Sequence, residues 1–423
     1  MGSGKLTGGS RSRPEAYFRV QPTRARQVVI LFAVTLAIIT YIDRVCISNA
    51  MPFIARDLGL TDLQKGYVLS AFAAAYALFE VPGGWLADTI GPRKVLMRIV
   101  IWWSFFTAAT GWVFKFWQLI AVRFLFGAGE AGCFPNLTRM LSTWLPEQSR
   151  LRAQALMWAC SRWAGAATPV LVLELVLWQG WRWSFVVLAV LGFIWAAVFY
   201  WWFRDDPAQH PAVNSEELAL LRDARNLTTQ EGESRWYRAL LQARALILLG
   251  QYFCFSLVWY FYVTWLPTYL HEGRHVPQTV AAALSSLPLL FGGVGSLAAG
   301  YAAARIRPRT IAVVGFTLSG LLLFLVTWVG NTTAAMVLMG LASFCSDLTM
   351  PISWNACVEI GRRNTATISG AMNMFGNFAG FLAPVVSGTI LQATANNWNL
   401  LIYLMAAISL LAASCWFFLE ERT

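Results

Sequence analysis

The chain is built from long apolar stretches separated by short polar intervals. Windows of about 20 apolar residues recur along the whole length, as helices that cross a bilayer require. The pattern therefore predicts an all-α membrane protein with twelve transmembrane helices. The predicted spans are residues 27–47, 65–87, 94–114, 117–137, 151–177, 183–203, 244–268, 278–301, 310–329, 332–358, 365–391 and 398–419.

The longest polar stretch divides six predicted spans from six. It covers about 204–243 and contains Asn214, followed by Ser-Glu-Glu and an apolar run, which indicates a helix start. We therefore expect four segments in the chain. These are a disordered cytoplasmic N-terminus (1–26), a six-helix bundle (27–203), a cytoplasmic linker with a short helix (204–243) and a second six-helix bundle (244–423).

The two halves are related by a shift of 216 residues. This shift sets Ser70–Asp88 opposite Ser286–Ala304 and carries Pro135 onto Pro351. Duplicated six-helix halves with a site between them, near the membrane midplane, are a known transporter architecture. The repeat predicts two pseudo-symmetric bundles around a central site.

Composition and charge support a membrane location. The 423 residues are 57% hydrophobic and only 13% charged, which is atypical of a soluble protein. Most of the 32 Lys and Arg residues fall in segments that are cytoplasmic if both termini are inside, so the net charge of +11 follows the positive-inside rule rather than indicating nucleic-acid binding. We expect a multi-pass protein of the plasma membrane, with the bacterial inner membrane as its location, acting as a monomer in the lipid bilayer.

The sequence offers little for covalent or metal chemistry. The seven Cys are scattered without a CxxC motif or a Cys/His cluster, and the three His lie in predicted loops. There is no nucleophile–base pair and no cofactor loop. We expect no enzymatic activity, no metal site and no cofactor.

Five charged residues fall inside predicted spans. They are Asp43, Arg44, Arg123, Glu130 and Arg162. Charges at this depth are costly and usually face one another or a water-filled path. Their number predicts that the protein moves something charged across the bilayer.

The loop after the second predicted span carries a recognisable motif, GGWLADTIGPRK, from Gly83 to Lys94. It resembles the signature loop of the major facilitator superfamily. The resemblance implies a conformational latch that holds the two halves in the outward-open state, formed here by Gly84, Asp88, Arg93 and Lys94. In the second half Ala304 stands where Asp88 stands in the first, so the second latch is weakened.

Residues 41–88 (YIDRVCISNA…GGWLAD) and 123–136 (RFLFGAGEAGCFPN) resemble the anion:cation symporter family. That family includes bacterial transporters of galactonate, hexuronates and glucarate, and the animal sialic-acid transporters. The resemblance implies that the acid before Arg44 takes the coupling proton, that Arg44 binds a substrate carboxylate and that Tyr76 faces the substrate.

Helical geometry separates the charges into groups. Tyr41 and Arg44 share one face of the first helix, and Asp43 is turned by about 100° from Arg44. Arg123 and Glu130 share a face of the fourth helix but lie about 10 Å apart along its axis, so each needs a partner from another helix, from substrate or from water. We assign Arg44 and Arg123 to carboxylate binding and Asp43 and Glu130 to proton coupling. Ion pairs that only hold helices together are the alternative.

Further candidates come from both halves. Arg162 is unusual for the resembling sugar-acid transporters, and Ser161 beside it fits them better; Arg162 either binds a second carboxylate, pairs with Glu130 or is shielded by tryptophans. Asn373 and Asn377 lie four apart on one face of the eleventh helix, where they could bind sugar hydroxyls or bond to other helices. The remaining candidates are Trp354, Ser346, Asp347 and Glu80, the last of which is favoured as structural.

These inferences favour a secondary active transporter. It would carry out proton-coupled symport of a small organic anion by alternating access, with a sugar acid such as a hexuronate, aldonate or aldarate as the substrate that the resemblance implies. An organic anion/phosphate exchanger and a sodium-coupled anion transporter are the alternatives.

Overall fold

The computed structural model describes residues 21–222, 235–277, 280–281 and 284–419. Within these ranges the chain is helical and contains no strand. Residues 1–20 of the predicted disordered N-terminus, and part of the predicted linker, lie outside the described residues.

Helices follow one another with short connections. The first half contains α1 (Ala25–Leu58), α2 (Asp62–Ile90), α3 (Pro92–Thr110), α4 (Phe116–Glu130), α5 (Cys133–Trp144) and α6 (Glu147–Trp202), which is two helices that meet at Gly180. The linker carries α7 (Ser215–Leu220) and α8 (Trp236–Leu240). The second half contains α9 (Ala243–Thr264), α10 (Leu287–Ala302), α11 (Pro308–Val326), α12 (Thr332–Asp347), α13 (Met350–Gly361), α14 (Thr365–Ala393) and α15 (Trp398–Phe418).

The internal repeat is visible in the helix boundaries. The shift of 216 residues carries α3, Pro92–Thr110, onto α11, Pro308–Val326. It also relates two broken helices, since the break between α4 and α5 corresponds to the break between α12 and α13. The two halves therefore repeat one helical arrangement, including its interruptions.

Two predicted spans, 117–137 and 332–358, were expected as continuous helices, and the structure interrupts both. In the first, Gly132 has φ 83°, a left-handed conformation that favours glycine and ends α4. The freed backbone N–H of Gly132 donates to Glu80 Oε2 at 3.2 Å. This correction matters for the site, because Glu130 is the last residue of α4 and lies beside the break.

Length and hydropathy agree with a membrane location. In the described ranges, seven helical segments are long and apolar enough to cross a bilayer, two of which merge successive helices. Large apolar side chains such as Trp117, Trp178 and Phe381 are exposed on the outer surface, where lipid would cover them. The count of twelve spans stays a prediction.

The halves meet along two seams, where α2 packs on α14 and α6 packs on α10. Close contacts at small residues shape both seams. A Cβ on Gly84 would lie 2.2 Å from the backbone oxygen of Ala366, and one on Gly300 would lie 2.7 Å from Ala155. Between the seams lies a cavity.

The linker helix α7 docks on the start of α1. Asn214 caps α7 by accepting from the Glu217 N–H at 3.0 Å, at the position where the sequence indicates a helix start. Glu217 in turn accepts from the Arg26 backbone N–H at 3.1 Å and from the Thr23 hydroxyl. We call this end of the bundles, which also carries residues 88–94, the linker face.

Candidate functional site

A cavity of about 290 Å³ lies between the halves, and both halves contribute to its wall. Few polar side chains line the cavity, and many of its apolar side chains are aromatic, which is typical of a site for a small ligand. The polar and charged part of the lining includes Tyr41, Arg44, Arg162, Tyr260, Asn373 and Asn377.

Arg44 reaches the cavity as one member of an ion pair. Its Nη2 lies 2.5 Å and its Nε 3.1 Å from Glu130 Oε1. The Arg44 side chain is 23% exposed and that of Glu130 is 1% exposed, so the arginine faces the cavity and the acid lies behind it. The Tyr76 ring centre is 4.6 Å from the guanidinium carbon. Glu130 thus has its partner from another helix, as the spacing on α4 requires.

Asp43 on α1 and Arg123 on α4 are buried and do not line the cavity. Their side chains are 2% and 1% exposed. The indole of Trp103 and the charged groups of Glu130 and Arg123 are the neighbours of the Asp43 carboxyl. The Arg123 guanidinium lies 4.3 Å from the Phe126 ring centre. In the described chain Arg123 does not line the cavity, so its predicted contact with substrate finds no support in this conformation.

Arg162 pairs with an acid from the opposite half. Its Nη2 lies 2.8 Å from Asp347 Oδ1, and the two side chains are 2% and 1% exposed. The guanidinium also lies 4.6 Å from the Trp259 ring centre. Of the three readings of Arg162, pairing with Glu130 is wrong in this conformation, since Arg162 bonds to Asp347.

The two asparagines on α14 connect the cavity to the seam with α2. Asn373 Nδ2 donates to Glu80 Oε1 at 2.7 Å and to the Tyr76 hydroxyl at 3.1 Å. Asn377 Nδ2 donates to the Asn373 carbonyl at 2.8 Å, and its Oδ1 accepts from the Tyr260 hydroxyl. Asn377 and Tyr260 therefore present paired polar groups to the cavity, while Asn373 bonds across the halves.

Two other predicted binding residues lie behind the cavity wall. The Ser161 hydroxyl donates to the Met157 carbonyl at 2.8 Å and is buried. The Trp354 indole donates to the Tyr252 hydroxyl at 3.3 Å, and its ring packs 5.1 Å from that of Trp158. In the described chain neither lines the cavity, nor does Tyr76, whose hydroxyl accepts a hydrogen bond from Asn373.

At the linker face, Asp88 closes the seam between the halves. Its carboxylate accepts from the backbone N–H groups of Ala366 and Thr367 at 3.0 and 2.8 Å, and from the Thr367 hydroxyl at 2.8 Å. These are the first free N–H groups of α14, where the helix dipole favours a negative charge. Arg139 adds an ion pair with Asp88 at 3.7 Å and donates to the Arg362 carbonyl at 3.0 Å. Asp88 thus joins the two halves at this face.

Arg93 and Lys94 were predicted in the same latch, yet among the described residues the hydrogen bonds of Arg93 stay on the side of the first half. Arg93 donates its side chain to the Tyr200 carbonyl and its backbone N–H to Asp205, and Lys94 is exposed. Burial raises the pKa of the Asp205 carboxyl above its usual range, against the opposing effect of the Arg93 hydrogen bond. These residues shape the loop, and Asp88 and Gly84 make the contact between halves.

We expect Gly84→Ala to open the linker face. The added Cβ would lie 2.2 Å from the Ala366 oxygen, so α14 must move away. Overpacking of this kind costs about 1–3 kcal/mol, which favours the open form by about 5-fold to about 150-fold. Electron-spin distance measurement between labels at the exposed positions Thr89 and Arg305 reports the opening. Gly250→Ala is the control, since nothing lies within 4 Å of its new Cβ. Unchanged distances in Gly84→Ala would argue against a tight latch.

Comparison with known proteins identifies the fold. The profile of the Major Facilitator Superfamily matches residues 33–384. The chain belongs to the major facilitator superfamily. A crystal structure of the transporter FucP in the outward conformation has a TM-score of 0.75 at 13% identity, covering 94% of this chain and 100% of that one. The predicted all-α fold and the resemblance to this superfamily are confirmed.

Curated relatives cover nearly the whole chain. It is 34% identical over 387 residues to the probable sulfoacetate transporter SauU of Cupriavidus necator, with 89% of this chain and 90% of the relative covered. It is 32% identical to the probable galactarate/D-glucarate transporter GudP of Bacillus subtilis, with 90% and 88% covered. A hexuronate transporter of the same bacterium is 26% identical. This member of the superfamily is accordingly a multi-pass membrane transporter and not an enzyme.

Proposed function

We propose that this transporter imports a small organic anion together with protons. The observation that carries the proposal is the Arg44–Glu130 pair at the cavity wall. The exposed cation Arg44 faces the cavity and is neutralised from behind by a buried acid, so an anion in the cavity competes with Glu130 for Arg44. Protonation of Glu130 ends that competition.

This arrangement makes proton binding and anion binding mutually favourable. A protonated Glu130 leaves Arg44 with both of its fork-like donors for a carboxylate. An anion bound to Arg44 neutralises the positive charge that stabilises the ionised form of Glu130, so Glu130 binds a proton more readily. Such coupling is reciprocal, so each ligand raises the affinity for the other by one common factor.

The conformation suits loading from the far side of the membrane. The Asp88 contacts close the linker face, and we propose that this face is cytoplasmic because Lys and Arg are concentrated in the segments on this side. Anion and proton therefore enter the cavity from outside, and breaking the seam between α2 and α14 releases them inward. Alternating access then requires the Asn373–Glu80 bond to break together with the Asp88 latch.

The substrate class follows from the cavity and from the relatives. The relatives are named as transporters of sulfoacetate, galactarate/D-glucarate and hexuronate, and each of these molecules has a carboxylate on a small carbon skeleton. Arg44 provides the carboxylate site, and Asn377 and Tyr260 provide polar groups for hydroxyls. We propose a small organic acid as the cargo.

Uptake into proteoliposomes tests the function. We expect sulfoacetate, D-glucarate or galacturonate to accumulate when the outside is more acidic, by up to about tenfold per coupled proton for a gradient of about one pH unit. A protonophore should abolish the accumulation and leave equilibration. Accumulation that follows a sodium gradient, or uptake that needs internal phosphate, would replace proton symport by one of the two alternative mechanisms.

A further inference from the structure

A second buried ion pair, Arg162–Asp347, lies at the cavity and differs from the first in one respect. Arg44 and Glu130 both belong to the first half, whereas Arg162 lies on α6 of the first half and Asp347 on α12 of the second. Both arginines line the cavity, and both acids lie behind the wall. The cavity is therefore faced by two cations, each neutralised by its own buried acid.

Polar and aromatic neighbours surround both members of the second pair. Asp347 Oδ2 accepts from the Ser343 hydroxyl at 3.4 Å, and its carbonyl accepts from Ser296 at 3.3 Å. Trp259 covers the guanidinium face. Arg162 Nε has no hydrogen-bond partner among the described residues, so the arginine keeps a free donor.

The titratable groups around the pair are few in kind. Tyrosines 41, 252 and 260 interact with Arg162, and Tyr262 and Cys345 lie on the side of Asp347. Tyrosine and cysteine side chains are ordinarily neutral at pH 7. Asp347 is thus the group whose protonation would change the charge on Arg162's side of the cavity.

We propose that Arg162 and Asp347 form a second anion subsite, which binds the second charged group of a dianionic acid when Asp347 takes up a proton. This inference rests on the proposed function and specifies its substrate as a dianion, with carboxylate or sulfonate as the second group. In the empty protein each arginine is neutralised by its acid. When an acid is protonated it loses its negative charge, and the bound anionic group supplies that charge to the arginine instead. The net charge at the cavity therefore stays the same.

The charge balance gives a measurable difference between substrates. A dianion that occupies both arginines draws one proton more than a monoanion that occupies Arg44 alone. By linkage, each proton taken up on binding adds about one unit to the slope of log Kd against pH. Between pH 6 and 8 the slope for the dianion should therefore exceed that for the monoanion by about one.

The test measures Kd against pH for matched pairs of acids, using the purified full chain. D-glucarate is compared with D-gluconate, and sulfoacetate with isethionate, since each pair differs mainly in one anionic group. In Asp347→Asn the extra slope for the dianion should disappear, because the asparagine side chain is neutral at every pH and cannot take up a proton. Arg162→Gln should weaken the dianion by at least about 30-fold and leave the monoanion within about threefold.

Two controls separate the subsite from folding and from the proposed function. Arg162→Gln combined with Asp347→Asn leaves no buried unpaired charge, so it keeps the test valid if the single variant misfolds. Asp57→Asn removes an ion pair of 2.8 Å length outside the cavity and should change neither Kd nor slope. Equal slopes for dianion and monoanion in the wild type, or no binding of either dianion, would overturn the subsite. Proton symport would fail separately, if no anion that enters brings a proton with it.

Discussion

Replacing Arg44 by alanine is expected to abolish binding of the organic anion. Arg44 is the only member of its ion pair that faces the cavity, with a side chain 23% exposed against 1% for Glu130. Its removal takes away the cation and leaves Glu130 buried without its partner, so the cavity becomes repulsive to an anion. Losing one member of such a pair costs about 2–5 kcal/mol, or at least about 30-fold in Kd. Ligand-induced thermal stabilisation of the purified protein measures the loss.

Two further variants make this result specific. Arg44→Lys keeps the charge without the planar fork, and we expect it to retain only weak binding. Arg152→Ala removes an exposed arginine near Tyr301, away from the cavity, and should leave Kd unchanged. Near-normal affinity in Arg44→Ala, with a folded protein, would show that the anion binds elsewhere.

Replacing Glu130 by glutamine is expected to separate transport from accumulation. Glutamine resembles the protonated acid in size and charge, so Arg44 stays available and binding becomes less dependent on pH. The empty protein then has no acid to neutralise Arg44, and return without substrate becomes unfavourable. We expect exchange of internal for external anion to continue, while the ratio of internal to external anion under a pH gradient falls to about one.

Asp43→Asn should show a related defect. Asp43 is buried in the same charge cluster as Glu130, and it is assigned as the second proton carrier. The control is Glu216→Gln on α7, which changes an acid outside the bundles. If the Asp43→Asn, Glu130→Gln double variant accumulates anion as the wild type does, both acids are structural and the coupling proton binds elsewhere.

The sequence predicted the fold and the main charged residues because their signals are local. The long apolar stretches and the motif GGWLADTIGPRK can be recognised from neighbouring residues alone. The internal repeat can be recognised from a fixed offset of 216 residues. The face shared by Tyr41 and Arg44 follows from helical geometry, and both residues line the cavity. The breaks at the ends of α4 and α12 were missed, although Gly132 stands at the first of them.

The sequence could not predict which charged residues on distant helices pair with each other. Arg162 and Asp347 are 185 residues apart, and no periodicity indicates which acid a buried arginine meets. Tyr76, Glu80, Gly84 and Asp88 recur every fourth residue on α2, which places them on one stripe. Only the structure shows that this stripe faces α14. The stripe extends from Tyr76, which lies against Arg44 at the cavity wall, to Asp88 at the linker face.

Proton movement driven by the anion alone tests most directly whether the Arg44–Glu130 pair couples anion entry to proton entry. Proteoliposomes containing the wild-type protein and an internal pH-sensitive dye start with equal pH and no membrane potential, and the anion is added outside. Entry of the anion should acidify the interior, and Glu130→Gln should abolish the acidification while exchange of labelled anion persists. Entry of labelled anion without a change in internal pH in the wild-type protein would contradict proton coupling through the Arg44–Glu130 pair.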